Sequence, residues 1–370
     1  MKAIARQISE GLSGCYAAGE VTALTRILAT ELLGIPQMTY FLKDNITLTA
    51  KQEALLDNAI ERLKKQEPIQ YILGYSDFCG LRFKVTQATL IPRPETSELV
   101  EWIASEATGK ESILDIGTGS GCIAISLAHK QPKSNVTAWD ISTDALAVAA
   151  ENSKANKCAV SFEHVDILAY QPTCEQFDII VSNPPYIKEN EAEAMHANVL
   201  HWEPHTALFV PDSDPLLFYR TIAQKGLAML YPGGRLYFEI NRAHGKDTMV
   251  MLESLGYTDI ELRKDFAEND RMIRAVKPKG KSESSCQRVG GNLFTHAMTT
   301  RTSVVCDNGK IRANESRGQI YLHYAECSRI WMKSTLAPQR SATKSPQSRA
   351  SSARSASKGK RNLQPLTSNR

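Results

Sequence analysis

Asp115-Ile116-Gly117-Thr118-Gly119-Ser120-Gly121 decides how this chain is read. It follows Ser112–Ile116, an apolar run of strand length, and leads into a helical pattern after Gly121. Glycines at alternate positions permit positive φ and let the backbone come close to a ligand. A dinucleotide fingerprint would place a third glycine at position 122, where this chain has Cys122. The loop also lacks the Lys-Ser/Thr of a nucleoside-triphosphate loop. Asp140 closes the next strand, Val136–Asp140, where it is placed to accept hydrogen bonds from both hydroxyls of a ribose. Asp115 is placed to orient an ammonium group through the loop or a water. A glycine loop with a strand-end acid fits S-adenosylmethionine better than NAD.

Around this loop the pattern alternates. Strands are expected at 112–116, 136–140, 160–164, 178–182, 235–240, 258–262 and 271–276, with helices over about 143–154, 215–229 and 245–255. Such alternation implies an α/β fold with a mostly parallel seven-stranded sheet and helices on both faces. Ligands bind outside the carboxyl ends of the strands in such sheets. Upstream, residues 1–75 read as a small helical bundle. Leu24, Ile27, Leu28 and Leu32 fall at helical spacing up to Gly34 and Pro36. Thr49-x-x-Gln52 has the capping-box pattern, with Leu56, Ile60 and Leu63 on one apolar face. From Phe78 the period becomes two, and Leu81, Phe83 and Val85 predict a hairpin within 78–91. Pro92-Arg93-Pro94 then turns the chain into a helix carrying Leu99, Val100 and Ile103.

The second informative stretch is Asn183-Pro184-Pro185-Tyr186, directly after the strand ending Val181-Ser182. Two successive prolines remove two N–H donors and stiffen the loop. What remains is a set of acceptors, the Asn183 side-chain oxygen and the loop carbonyls, suited to the two hydrogens of an NH₂ group. Tyr186 offers a flat face to a planar group. The lone pair of an amide or aromatic NH₂ is delocalised, so the nitrogen is a poor nucleophile. Holding both hydrogens aims that lone pair at a sulfonium methyl, and positioning becomes the main contribution.

With these motifs in order, the sequence resembles the HemK/PrmC family, protein-glutamine N5-methyltransferases acting on peptide chain release factors. The resemblance covers about residues 1–277. It rests on the two loops, on Pro68–Gly74 and Leu90–Thr96, and on Glu203-Pro204-His205-Thr206-Ala207-Leu208. It implies a class I (Rossmann-like) methyltransferase domain over 111–277, a helical release-factor-docking domain over 1–75, and a β-hairpin and linker over 76–110. It also implies that Gly117, Thr118, Gly119, Ser120, Gly121, Asp140, Leu168 and Asn183 bind S-adenosylmethionine. Asn183, Pro184, Pro185 and Tyr186 would hold the glutamine of a Gly-Gly-Gln loop. Two departures stand out. Ser97 precedes Glu98 where the family often has an acid directly after Pro-Glu-Thr. Ile167 and Leu168 follow Asp166 where many members have an aromatic, so adenine would rest on aliphatic groups.

The 370 residues suggest two or three domains, and the formal charge of +4 conceals an asymmetry. Residues 278–370 hold 17 Lys+Arg and 4 Asp+Glu, or +13, which leaves 27 against 36, or −9, for residues 1–277. Residues 338–370 contain eight serines and no aromatic, so 278–370 is expected to be a disordered basic extension, dispensable for chemistry. A nucleic-acid amino-methyltransferase is the nearest rival, since adenine N6 and guanine N2 present the same NH₂. The acidic 1–277 segment argues against it, and any nucleic-acid contact falls to the basic extension. A non-catalytic adaptor for translation factors is a further alternative. In His201-Trp202-Glu203-Pro204-His205 the proline breaks the helix that H-E-x-x-H chemistry needs, so no metal is expected. Eight cysteines without a C-x-x-C pair, and no long apolar run, predict a reduced cytoplasmic protein, taken as a monomer without membrane contact.

Overall fold

The computed structural model describes residues 1–279 except 43–45, 173–176 and 196. The expectations for Cys174, His196 and the extension from residue 280 onward fall outside the described residues. The chain opens with helices α1 (Lys2–Leu12), α2 (Ala18–Ile27), α3 (Gln37–Leu42) and α4 (Ala50–Lys64). Ile4, Ile8 and Leu12 meet Leu24, Leu28, Leu56, Ile60 and Leu63 in one core. Their spacing of three and four residues is what puts them on facing helix stripes. The single helix expected through Leu32 changes its winding, because Leu28–Leu32 form a π-helical turn. The capping box forms: Gln52 N donates to Thr49 Oγ1 at 3.3 Å, and Thr49 N donates to Gln52 Oε1 at 3.0 Å.

Helix α5 (Ile69–Leu73) ends at Gly74, and strands β1 (Tyr75–Phe78) and β2 (Leu81–Lys84) form the hairpin. It begins at Tyr75 and ends at Lys84, earlier at both ends than the expected 78–91, because the alternating Leu81 and Phe83 belong to its second arm. In the first arm only Phe78 is buried, so that arm carries no alternation signal. The turn sits at Cys79 and Gly80, both at positive φ. Helix α6 (Pro94–Glu106) begins with a proline in its first turn, where no N–H is missed.

The remaining elements are β3 (Ser112–Ile116), α7 (Cys122–Lys130), β4 (Asn135–Asp140), α8 (Thr143–Ala155), β5 (Ser161–His164), β6 (Phe177–Ser182), β7 (Ile187–Lys188), α9 (Ala197–Leu200), β8 (Phe209–Val210), α10 (Leu217–Met229), β9 (Leu230–Glu239), α11 (Gly245–Ser254), β10 (Thr258–Lys264) and β11 (Asp270–Val276). Seven of the strands form one sheet, ordered β10-β11-β9-β6-β3-β4-β5. Strand β11 runs antiparallel to both neighbours, and the other pairs are parallel. Consecutive residues serve opposite faces: Ile113 and Ile179 join one core, Leu114 and Ile180 the other. Burial on both faces explains why these strands read as continuous apolar runs. The chain moves from β3 outward through β4 and β5, then returns to lay β6 on the other side of β3. That reversal opens a crevice at the carboxyl ends of β3 and β6.

Candidate active site

Ile116 and Ser182 are partners in the β3–β6 register, and Ser182 Oγ donates to the Ile116 carbonyl at 2.7 Å. The next residues are Gly117 and Asn183, so two motifs 66 residues apart leave from adjacent strand ends. Gly117 N and Thr118 N both donate to the Trp139 carbonyl, at 2.8 and 3.0 Å, drawing the glycine loop over the end of β4. Asp140 completes the clasp. Its Oδ2 accepts from Gly119 N at 2.8 Å, and its Oδ1 accepts from Ser142 N at 2.9 Å. Each carboxylate oxygen retains a lone pair for a further donor.

Asp115 works from behind the loop. It is fully buried, and its Oδ2 accepts from Thr118 Oγ1 at 2.6 Å and Ala124 N at 3.2 Å. Its Oδ1 has no partner among the described residues, and burial lifts the carboxyl to about 7. Asn152, buried on α8, ties the loop to the hairpin. Its amide donates to the carbonyls of Ser120 at 2.9 Å and Lys84 at 3.0 Å, while its oxygen accepts from Lys84 N at 2.7 Å. Nothing in the sequence pattern marks Asn152, because its role depends on a tertiary approach.

The crevice is a cavity of about 360 Å³, within the range of small-molecule sites. Gly117, Gly119 and Asp140 border it together with the apolar Ile141, Ile167 and Leu168. Asn183, Pro184 and Pro185 border it as well. Among the described residues, none hydrogen-bonds the Asn183 side chain, which is half-buried. Thr118, Ser120, Gly121 and Tyr186 lie back from the cavity. A Cβ on Gly121 would come 2.8 Å from Ile125 Cδ1 and 3.1 Å from Ala149 Cβ, so this glycine lets helices α7 and α8 meet. Tyr186 packs into the core around Tyr219 and Phe238, and its carbonyl accepts from Asn241 Nδ2 at 3.2 Å. Burial raises the pKa of its phenol.

The far wall lies outside the site residues expected from the motifs. Thr89 and Leu90 from the linker, and Pro204, Thr206 and Phe209 before and within β8, also border the cavity. Glu203 pins these two segments together. Its carboxylate accepts from Arg93 Nη2 at 2.6 Å and Ile91 N at 3.1 Å, and its side chain is 1% exposed. The Glu203–Leu208 segment, where no metal is expected, therefore forms part of the site's wall. Among the described residues, no group of three His, Cys, Asp or Glu side chains could hold a metal ion, and no helix is long and apolar enough to cross a membrane.

The residues present fit S-adenosylmethionine. Gly117 and Gly119, at φ +75° and +55°, border the cavity, and a Cβ at either would meet nothing within 4 Å, so both leave open backbone. A carboxylate stands beside them, and an apolar floor follows it. The family model "PrmC N-terminal domain" matches residues 6–74, and "Methyltransferase small domain" matches residues 95–206. A release factor glutamine methyltransferase of Bacteroides thetaiotaomicron is 48% identical over 278 residues, covering 74% of this chain and 99% of the relative. One from Flavobacterium psychrophilum is 44% identical over 273 residues, covering 72% and 96%. This chain belongs to the release factor glutamine methyltransferase family. It is an S-adenosylmethionine-dependent methyltransferase. A solved methyltransferase from Pyrococcus furiosus aligns with a TM-score of 0.41 at 18% identity, over 62% of this chain and 100% of its own.

In this methyltransferase one more acid lies near the crevice. Glu239, at the end of β9, is 1% exposed and accepts from Thr96 Oγ1 on α6 at 2.6 Å. Burial raises its carboxyl to about 7, against the opposing pull of the Thr96 hydrogen bond and Arg271. It joins the sheet to the first turn of the helix that follows the Pro92–Pro94 turn.

Proposed function

We propose that the cavity is where the glutamine side chain of a release factor receives a methyl group on its amide nitrogen. The observation that carries this reading is the Asn183 side chain, with no hydrogen-bond partner among the described residues, bordering the same cavity as Gly117, Gly119 and Asp140. S-adenosylmethionine supplies an electrophilic sulfonium methyl. Gly117 and Gly119 give it backbone room, Asp140 accepts from its ribose hydroxyls, and Ile167 and Leu168 support its adenine. Thr118, Ser120 and Gly121 shape the loop rather than touch the ligand. Asn183 and the carbonyls of Pro184 and Pro185 accept the two amide hydrogens of the glutamine. Tyr186 anchors the loop from its carboxyl end through its packing in the core. No strong base is required, because the nitrogen becomes acidic only as the new bond forms.

The glutamine belongs to a Gly-Gly-Gln loop, entering past Thr89 and Thr206. Residues 1–75 dock the release factor, 76–110 link, and 111–277 carry the chemistry, in a monomer acting in the cytoplasm. The net charge of −9 over residues 1–277 supports a protein acceptor over a nucleic acid, any contact with which falls to the basic extension over 278–370. The test is methyl transfer from labelled S-adenosylmethionine to a purified release factor, beside its Gln-to-Ala version and total RNA. Label on the intact factor alone is expected, and label on RNA overturns the acceptor assignment. Asn183→Ala should lower kcat by about 10²–10³ while donor affinity holds, the size of losing one oriented transition-state contact.

A further inference from the structure

Helix α10 crosses the cavity's apolar side, and three of its residues lie on one stripe. Phe218 and Ile222 border the cavity, and Lys225 follows at the next helical interval. Positions i, i+4 and i+7 share a helix face. The Lys225 ammonium donates to the carbonyls of Ile167 at 2.7 Å and Leu168 at 3.0 Å, and also to that of Tyr170. These carbonyls belong to a tight turn after β5. Tyr170 N and Ala169 N donate to the Asp166 carbonyl at 2.8 and 3.2 Å, and Leu168 N donates to Asp166 Oδ1 at 2.8 Å. A turn of this winding gathers carbonyl oxygens at its carboxyl end, where a cation is favoured. The same turn presents Asp166, Ile167 and Leu168 to the cavity.

We propose that Lys225 is a positioning residue for the methyl donor: it gathers the carbonyls of this turn and thereby fixes the floor formed by Asp166, Ile167 and Leu168. The inference rests on the reading of the lining by Gly117, Gly119, Asp140, Ile167 and Leu168 as the donor site. Ile167 is packed in the core with Ile116 and Trp139, whereas Leu168 is 42% exposed, so the Leu168 half of the floor is open to solvent and has little packing to define it. A polar tether from a rigid helix supplies what packing does not. An aromatic ring would stack by its own area, whereas aliphatic groups must be aligned by the backbone that carries them. Asn183 and the acceptor wall do not touch Lys225, so the effect is confined to the donor.

The experiment compares Lys225→Met and Lys225→Arg with the natural protein. Binding of S-adenosylhomocysteine is measured by calorimetry, with steady-state kinetics on a purified release factor and thermal unfolding alongside. Lys225→Met should weaken S-adenosylhomocysteine binding and raise the KM for S-adenosylmethionine by roughly tenfold, the scale of losing hydrogen bonds to a charged donor. The kcat at saturating donor and the KM for the release factor should stay within about twofold, the pattern of a lost ground-state contact. Amide exchange should speed up over residues 166–170, and Lys225→Arg should restore most of the affinity. Unchanged affinity in Lys225→Met overturns the proposal. So does an equal rise in both KM values with a collapsed melting temperature, which would make the lysine a general structural element. If the natural protein fails to bind S-adenosylhomocysteine, the donor-site reading itself falls.

Discussion

Two glycines of one loop should fail in different ways. Gly119 and Gly121 both sit at positive φ, +55° and +81°, so alanine at either costs about 1–2 kcal/mol of backbone strain. There the similarity ends. A Cβ at 121 would lie 2.8 Å from Ile125 Cδ1, a methyl that can swing away, and 3.1 Å from Ala149 Cβ, which moves only if α8 moves. Overpacking of that kind adds about 1–3 kcal/mol. Gly121→Ala should therefore lose about 2–5 kcal/mol, a fall in melting temperature of about 4–20 °C at 2–4 °C per kcal/mol. At Gly119 the new methyl meets nothing within 4 Å but stands at the cavity edge, where a ligand must approach the backbone. Gly119→Ala should lose only the strain in stability, yet weaken donor binding by about tenfold or more, since blocking close approach costs at least about 1.4 kcal/mol. Thermal unfolding and calorimetric titration with S-adenosylhomocysteine separate the two. Gly119→Ala binding as tightly as the natural protein, or Gly121→Ala melting no lower than Gly119→Ala, would refute the division of roles.

Asp140→Ala should weaken donor affinity before it touches kcat, and it also releases Gly119 N and Ser142 N, so some loss of loop order accompanies it; calorimetry with full affinity retained would place the ribose elsewhere. Glu239 makes stability fall as pH rises from about 4.5 to about 7, because across that window the folded state keeps the proton that the unfolded chain has released. Glu239→Gln should flatten that slope in denaturant titrations at pH 5 and pH 7.5, and an unchanged slope would assign it to Asp115 instead. Removing Glu203 strands Arg93 and the Ile91 amide, so Glu203→Ala should cost about 1–3 kcal/mol and raise the KM for the release factor more than that for the donor; equal effects on both would deny the far wall its place at the acceptor.

The sequence was most legible where one local rule acts alone. The seven strands and their mostly parallel sheet follow from apolar runs separated by helical patterns, and Thr49 to Gln52 cap their helix as a four-residue pattern predicts. Legibility failed where two local patterns compete or where distance intervenes. The expected hairpin starts late because Leu81 and Phe83 alternate visibly while Tyr75–Phe78 do not. The family resemblance implies ligand contact for all of Gly117–Gly121, yet of these five Gly117 and Gly119 border the cavity, while a Cβ at Gly121 would meet Ala149 on another helix. Phe218 and Ile222 carry no signal that separates a cavity wall from an ordinary buried stripe. Glu203, Asn152 and Lys225 act on backbone groups of distant segments, which no spacing rule encodes.

The acceptor loop alone does not choose the substrate. Asn183-Pro184-Pro185 offers oxygens to any NH₂ group, whether on an amide or a base, so discrimination must come from what surrounds it. Here the surroundings are the Thr89–Leu90 linker and the Pro204–Phe209 segment, joined through Arg93 and Glu203. Both approach from outside the sheet, and the linker follows directly on the hairpin. Trp202 Nε1 donates to the Lys65 carbonyl at the end of α4, at 3.1 Å, so the same segment is also tied to the helical bundle. On the proposed reading, a release factor held on that bundle would be held on a body hydrogen-bonded to the segment that borders the cavity. Recognition far from the glutamine can then be spent on aligning its amide, which is where a weak nucleophile gains most.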